Sequence, residues 1–206
     1  FEGDLRVCFN DGVNVRIFGE GDNIPGKYQL RIDFSDGTVL VFTVAMYGSI
    51  ACADGSYDNE YYIVSKNSIS PISPEFDHTY FFGLLDSAKP NLSAKAFLAT
   101  KQRIPGLGNG VLQDILFEAG IHPKKKIGSF TQHEKELLFV SIKEVLSEMV
   151  RLRGRDTEKD LWGNPGGYKT KLSKNTYKDG CPKCGGEITK ASYLGGTVYF
   201  CPECQT

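Results

Sequence analysis

Residues 102–123 read Gln102-Arg-Ile-Pro-Gly106-Leu-Gly108-Asn109-Gly-Val-Leu-Gln-Asp-Ile-Leu-Phe-Glu118-Ala-Gly120-Ile-His122-Pro123, and this stretch decides the fold. It opens as a tight turn and becomes a helix. Asn109 or Gly110 starts the helix, Val111 to Glu118 carry its apolar period, and Gly120 with Pro123 ends it. Gly106 and Gly108 let the backbone approach a ligand closely, where unpaired amides and the helix dipole favour an anion. Asn109 adds a side-chain donor. The same letters also fit an ordinary turn with an Asn cap, so the turn alone leaves both readings open.

Outward from this turn the periodicity changes twice. Upstream, Ser93 to Thr100 reads as a short helix, and Ser68 to Pro74, rich in Ser and Pro, reads as a linker. Before the linker the chain alternates with period two. Val13 to Phe18, Tyr28 to Phe34 and Thr38 to Ala45 read as strands, with Asp36-Gly37 as a hairpin turn, and Tyr61 to Val64 as one more short strand. Downstream, Thr131 with Glu134 forms a capping box. It opens a long helix whose apolar face carries Leu137, Leu138, Ser141, Ile142, Val145, Leu146 and Met149. A loop rich in Gly, Asn and Lys, 163–179, then leads to the C-terminus.

Four of six cysteines fall in the last 26 residues: Cys181, Cys184, Cys201 and Cys204. Two Cys-x2-Cys pairs sixteen residues apart are the spacing of a four-thiolate zinc site, with Glu187 to Lys190 and Thr197 to Phe200 as the hairpin between them. Two disulfides are the competing reading, but Cys-x2-Cys is a metal or redox spacing and no secretion leader opens the chain. Cys8 and Cys52, in apolar surroundings, are expected to be buried hydrophobes.

The chain has 206 residues, 40% hydrophobic and 24% charged, the composition of a globular protein of one or two domains. No run approaches the ~18 apolar residues of a membrane span. The net charge of −1 is uneven: −7 over residues 1–90, +2 over 91–150 and +4 over 151–206. A basic C-terminal half permits an anionic partner, although solvated lysines alone give the same balance. The histidines, His78, His122 and His133, do not stand at metal or triad spacing. His122 suits packing or capping.

The segment Gln102 to Pro123, followed downstream by the four-cysteine finger and its closing Cys-Pro-x-Cys-Gln, resembles the formamidopyrimidine-DNA glycosylase / endonuclease VIII family of base-excision repair enzymes. The resemblance covers residues 91–206 well and 12–60 more loosely. It implies an α+β fold: an antiparallel β-sandwich remnant, then a helix–two-turn–helix bundle, then a C-terminal four-cysteine zinc-finger β-hairpin. The expected boundaries are 1–74, 75–178 and 179–206. It implies a structural Zn2+ on Cys181, Cys184, Cys201 and Cys204. It implies double-stranded DNA carrying a damaged base or abasic site as partner, gripped by a monomer in the cytoplasm of a bacterium, at the nucleoid.

Residue by residue, the resemblance matches Asn109 to a contact with phosphate beside the flipped nucleotide, and Gly106 with Gly108 to the close approach. It matches Lys27 to a hairpin lysine on backbone phosphate, and Met46 to the wedge that fills the space of the extruded base. An unbranched apolar side chain suits that task, and a core methionine is the plain alternative. Tyr168 and Lys169 fall where the family has a loop leading toward the base pocket.

Three departures qualify the match. The family attacks the sugar C1′ with an N-terminal proline amine, forming a Schiff base, with a neighbouring glutamate handling protons. This chain opens Phe1-Glu2-Gly-Asp, without an initiator Met, so no catalytic residue is assigned within it, and the nucleophile is expected upstream of residue 1. Many family members carry an arginine where Gly196 stands. The Arg-Arg-Phe-Gly segment has no counterpart near Tyr57 to Ser70. The leading expectation is a DNA glycosylase with abasic-site lyase chemistry, this chain alone being inactive. The alternative is a non-catalytic damaged-DNA-binding module. An RNA- or ribosome-associated protein is a third reading, disfavoured by the order of sheet and helices.

Overall fold

A computed structural model describes residues 2–10, 12–45, 48–55 and 57–206. The period-two runs form sheet. β2 (Val13–Phe18), β3 (Leu30–Asp33) and β4 (Val39–Val44) make a three-stranded antiparallel sheet with β4 in the centre. Val15 stands opposite Phe42, and Leu30 opposite Phe42 on the other side. The central strand is the β-branched, apolar one, which suits a strand paired on both edges. β1 (Arg6–Phe9) and β5 (Ile50–Ala53) pair separately and antiparallel.

The segment Tyr61 to Val64, expected as a strand, is helical instead, within α1 (Glu60–Asn67). β-branched and aromatic letters favour a strand only where a pleated partner can take them. Among the described residues this segment has no partner strand, and Tyr61 stays 62% exposed. Cys52 also departs from expectation: it is exposed on β5, while Cys8 is half-buried.

The chain divides into two compact units: residues 1–59 with 156–166, and residues 60–155 with 167–206. In the first, the segment 156–166 joins the strands, Ile17 N donating to Leu161 O at 2.9 Å.

The second unit is built on α2 (His78–Ser87), α3 (Ala94–Ala99), α4 (Val111–Glu118) and α5 (Gln132–Arg151). Ser93 caps α3, and the Thr131–Glu134 capping box opens α5 as expected. α5 buries Leu138, Phe139, Ser141, Ile142, Val145 and Met149, while Leu137 points partly to solvent. The stripe keeps its other expected positions, with Leu146 half-buried against the core, and widens to include Phe139, which joins an aromatic cluster with Phe76 and Phe81. α4 is the hub: Leu112, Ile115 and Leu116 are fully buried in this core.

The same unit ends in a two-stranded ribbon, β6 (Thr189–Tyr193) and β7 (Gly196–Phe200). The hairpin lies as expected, with its first strand two residues later. No helix among the described residues is long and apolar enough to cross a membrane.

Candidate functional site

The turn before α4 is held open by unusual backbone. Lys101 and Gln102 adopt positive φ (59° and 49°), and Gly106 sits at φ 78°, where only glycine is unstrained. Arg103 steadies this loop: its Nη1 donates to the carbonyl of Thr100 at 3.0 Å, and to those of Ala96 and Phe97 at 3.3 and 3.4 Å. An arginine closing the end of α3 is favourable for the helix dipole. The Gly108 carbonyl accepts from the amides of Val111 and Leu112 and so starts α4. Asn109 is left exposed at the mouth of the turn.

α4 also carries the ribbon. Asn109 Nδ2 donates to the Thr197 carbonyl at 3.0 Å. Gln113, one turn on, donates to the carbonyls of Asn109 (3.0 Å) and Thr197 (3.1 Å) and accepts from the Tyr199 amide (3.1 Å). At the far end of α4, Lys183 Nζ donates to the carbonyls of Phe117 and Glu118 and pairs with Glu118. Gln205 completes the splice, donating to the Ile121 carbonyl and accepting the Cys201 amide. His122 packs edge-on to Phe200, as its packing role anticipates. The turn and the ribbon therefore form one body joined by buried amides, a relation that spacing in the sequence does not reveal.

The four ribbon cysteines meet. Their sulfurs all lie within 4.8 Å of one another, with Cys181–Cys204 at 3.8 Å and Cys184–Cys201 at 3.6 Å. Disulfide bonding would require about 2.05 Å. A tetrahedral ion with metal–sulfur bonds near 2.3 Å has sulfur–sulfur edges of about 3.8 Å, so the donor set fits zinc in size and in softness. Burial opposes ionisation of Cys181, but the backbone amides of Cys184 and Lys183 outweigh it and bring the thiol down to about 7. Such a ring of donors prepares a thiolate for a cation. With four protein ligands the site is closed, leaving no open position for a reacting water.

Asp114 supports the loop that follows. It is buried, and its two oxygens accept the amides of Lys171 (3.0 Å) and Leu172 (2.8 Å). Burial pushes this carboxyl up despite those donors. Tyr168 is buried in the helical core beside it, and burial with the Asp114 charge raises the phenol well above its ordinary value. Lys169 is exposed. Lys27 lies exposed in the strand unit, and Met46 falls outside the described residues. The structure thus brings Asn109 to the ribbon, with Gly106 and Gly108 in the turn just before it, and places Tyr168 on the same unit. Arg103, Gln113, Asp114 and Gln205 were not singled out from the sequence. Arg103 and Gln205 stand within the quoted motifs without a role; burial marks Gln113, Asp114 and Gln205, and the carbonyl contacts mark the half-buried Arg103, neither of which sequence displays.

Residues 68–160 match the formamidopyrimidine-DNA glycosylase H2TH domain. The formamidopyrimidine-DNA glycosylase of Haemophilus influenzae (strain Rd) is 32% identical over 197 residues, covering 93% of this chain and 71% of that protein. The chain belongs to the formamidopyrimidine-DNA glycosylase / endonuclease VIII family. The enzyme of that name from Histophilus somni (strain 2336) is 34% identical over 151 residues, 71% of this chain and 55% of its own length. The match thus spans about half of the Histophilus protein. A crystal structure of Lactococcus lactis Fpg in complex with an abasic site containing DNA superposes with TM-score 0.79 at 25% identity, over 99% of this chain and 76% of that one. The MutM (Fpg) protein of Thermus thermophilus shares the fold, with TM-score 0.80 at 24% identity over 99% of this chain and 77% of its own. The α+β architecture with a terminal four-cysteine ribbon is the family's.

Proposed function

We propose that this chain is the DNA-gripping part of a base-excision repair glycosylase with abasic-site lyase activity. The observation that carries the reading is the exposed Asn109, at the mouth of a glycine turn and braced by the carbonyl of a four-cysteine ribbon. That arrangement offers an amide donor and approachable backbone to a phosphate. The likeness to Fpg in complex with abasic-site DNA supports a damaged duplex as the partner.

In this reading Gly106 and Gly108 permit close approach, Asn109 donates to phosphate, and Lys27 adds a second backbone contact. Met46 fills the space of the extruded base. Lys169, exposed beside the anchored Tyr168, serves the loop toward the base pocket. Zn2+ on Cys181, Cys184, Cys201 and Cys204 holds the ribbon and takes no part in the reaction. The Schiff base at the sugar C1′ belongs to a secondary amine ahead of the first strand, and β-elimination follows from it.

Borohydride trapping on an abasic duplex tests the chemistry, with this chain beside a version extended to the gene's own start. A covalent product from the extended version alone is expected. No product from either, with binding retained, would replace the enzyme by a non-catalytic damaged-DNA-binding module. Binding itself should weaken steeply with salt, and Lys27→Ala should lower the log–log slope by about one.

A further inference from the structure

We infer that Gln113 is a positioning residue: held by the ribbon, it sets which face of the Asn109 amide meets the ligand, an inference that rests on Asn109 being a phosphate contact. A side-chain amide has two donors on one end and an acceptor on the other, and a flip exchanges them. For a phosphate only the donor end is useful. Something must therefore hold the exposed Asn109 amide the right way round.

The buried amides supply it in sequence. Gln113 is only 3% exposed. The Tyr199 amide donates to its Oε1, which fixes the sense of the Gln113 carboxamide. Its Nε2 then faces two carbonyls, those of Asn109 and Thr197. The Thr197 carbonyl, so placed, takes one hydrogen from Asn109 Nδ2. A flipped Asn109 would set its own oxygen against the Thr197 oxygen. One N–H is thus spent on the ribbon, and the amide's second N–H is left on the donor end for an outside oxyanion.

Gly196 belongs to the same device. A Cβ there would lie 3.3 Å from the Asn109 amide atoms, tighter than ordinary packing. Glycine at this place lets the ribbon backbone come flush against Asn109. Thr197 and Tyr199 lie on β7, which leads directly into Cys201, so the strand that holds Gln113 is anchored beside the cysteine cluster.

The test is a double-mutant cycle on the whole chain, with a duplex bearing a tetrahydrofuran abasic analogue. Gln113→Met should weaken binding about tenfold while the Co2+-substituted ribbon keeps its visible spectrum. In an Asn109→Ala background the same substitution should cost nothing further, because it acts through Asn109. Additive losses would overturn the inference. A second readout needs no DNA: solvent exchange of the Asn109 side-chain amide protons, followed by NMR, should quicken in Gln113→Met. Unchanged exchange would overturn the inference as well. Should Gln113→Met lose the ribbon spectrum, Gln113→Glu keeps the acceptor for Tyr199, removes both donors and takes the same two readouts. A wild-type chain that ignores the duplex would sink the DNA reading, while amide exchange still decides the role of Gln113.

Discussion

The two units of the chain bury very different interiors. The helical unit encloses Phe76, Phe81, Phe97, Leu98, Leu112, Ile115, Leu116, Leu138 and Ile142 almost completely. Among the described residues of the strand unit, only Val39, Val41 and Phe42 reach comparable burial, all on the central strand, while Phe9, Tyr28 and Phe34 remain exposed. Stability from apolar burial scales with the area removed from water, so the helical unit holds most of it. Beyond its helices, that unit ends in a ribbon whose own apolar cluster is small: Phe117, Leu172, Ile188 and Tyr199 around the cysteines. The helices are held by packing, while the ribbon has little of it and brings together four cysteines that could hold a metal.

The sharpest way to break this contrast is to remove the ligands. Cys201→Ser, or stripping with a chelator, should unfold residues 181–204 and leave α2 to α5 folded. Structural zinc supplies about 10 kcal/mol of folding free energy in ribbons of this size. Amide exchange resolved by residue reads the outcome: fast exchange in β6 and β7 with protection kept in α4 and α5. Protection surviving in the stripped ribbon would mean that the buried glutamines alone suffice.

Phe81→Ala probes the other side. Phe81 is fully buried and touches Phe76, Phe97 and Phe139. Its loss should cost about 3–5 kcal/mol in denaturant unfolding while protection of β6 and β7 against amide exchange is unchanged. A smaller effect follows from the strand unit itself. Its backbone amides should exchange faster than those of α4 under native conditions, since local opening costs least where little apolar surface is buried. Equal protection in β4 and α4 would show that the two units open as one.

How much of this was legible in the letters depends on range. Short-range rules placed the three-stranded sheet, the glycine turn, α4 and the capping box of α5, because alternation, turn chemistry and caps are set by neighbours in sequence. The cysteine spacing picked out the four thiols that cluster, for the same reason. Tyr61 to Val64 misled because β-branched letters carry no record of whether a partner strand exists. The return of 156–166 to the strand unit was invisible, since it depends on where Ile17 ends up. So was Gln113, a polar letter on an apolar helix that makes sense only once Tyr199 and Thr197, more than eighty residues away, are opposite it.

The smallest expected effect tests the helices at a single cap. Glu134 closes the capping box of α5 through the Thr131 amide and pairs with Lys125. Burial opposes its ionisation, but the Lys125 ammonium and the Thr131 amide prevail and hold the carboxyl below its ordinary value of 4.5. A carboxyl depressed in the folded state stabilises above its unfolded pKa, and that contribution fades as pH falls through the folded one. Glu134→Gln should therefore cost about 1 kcal/mol at pH 7, the usual worth of a cap, and progressively less below pH 4.5 as wild-type Glu134 takes up its proton. Urea unfolding of both proteins at neutral and at acid pH measures the convergence. A difference that persisted unchanged in acid would assign the cap's value to shape and hydrogen bonding, with the Lys125 charge contributing nothing.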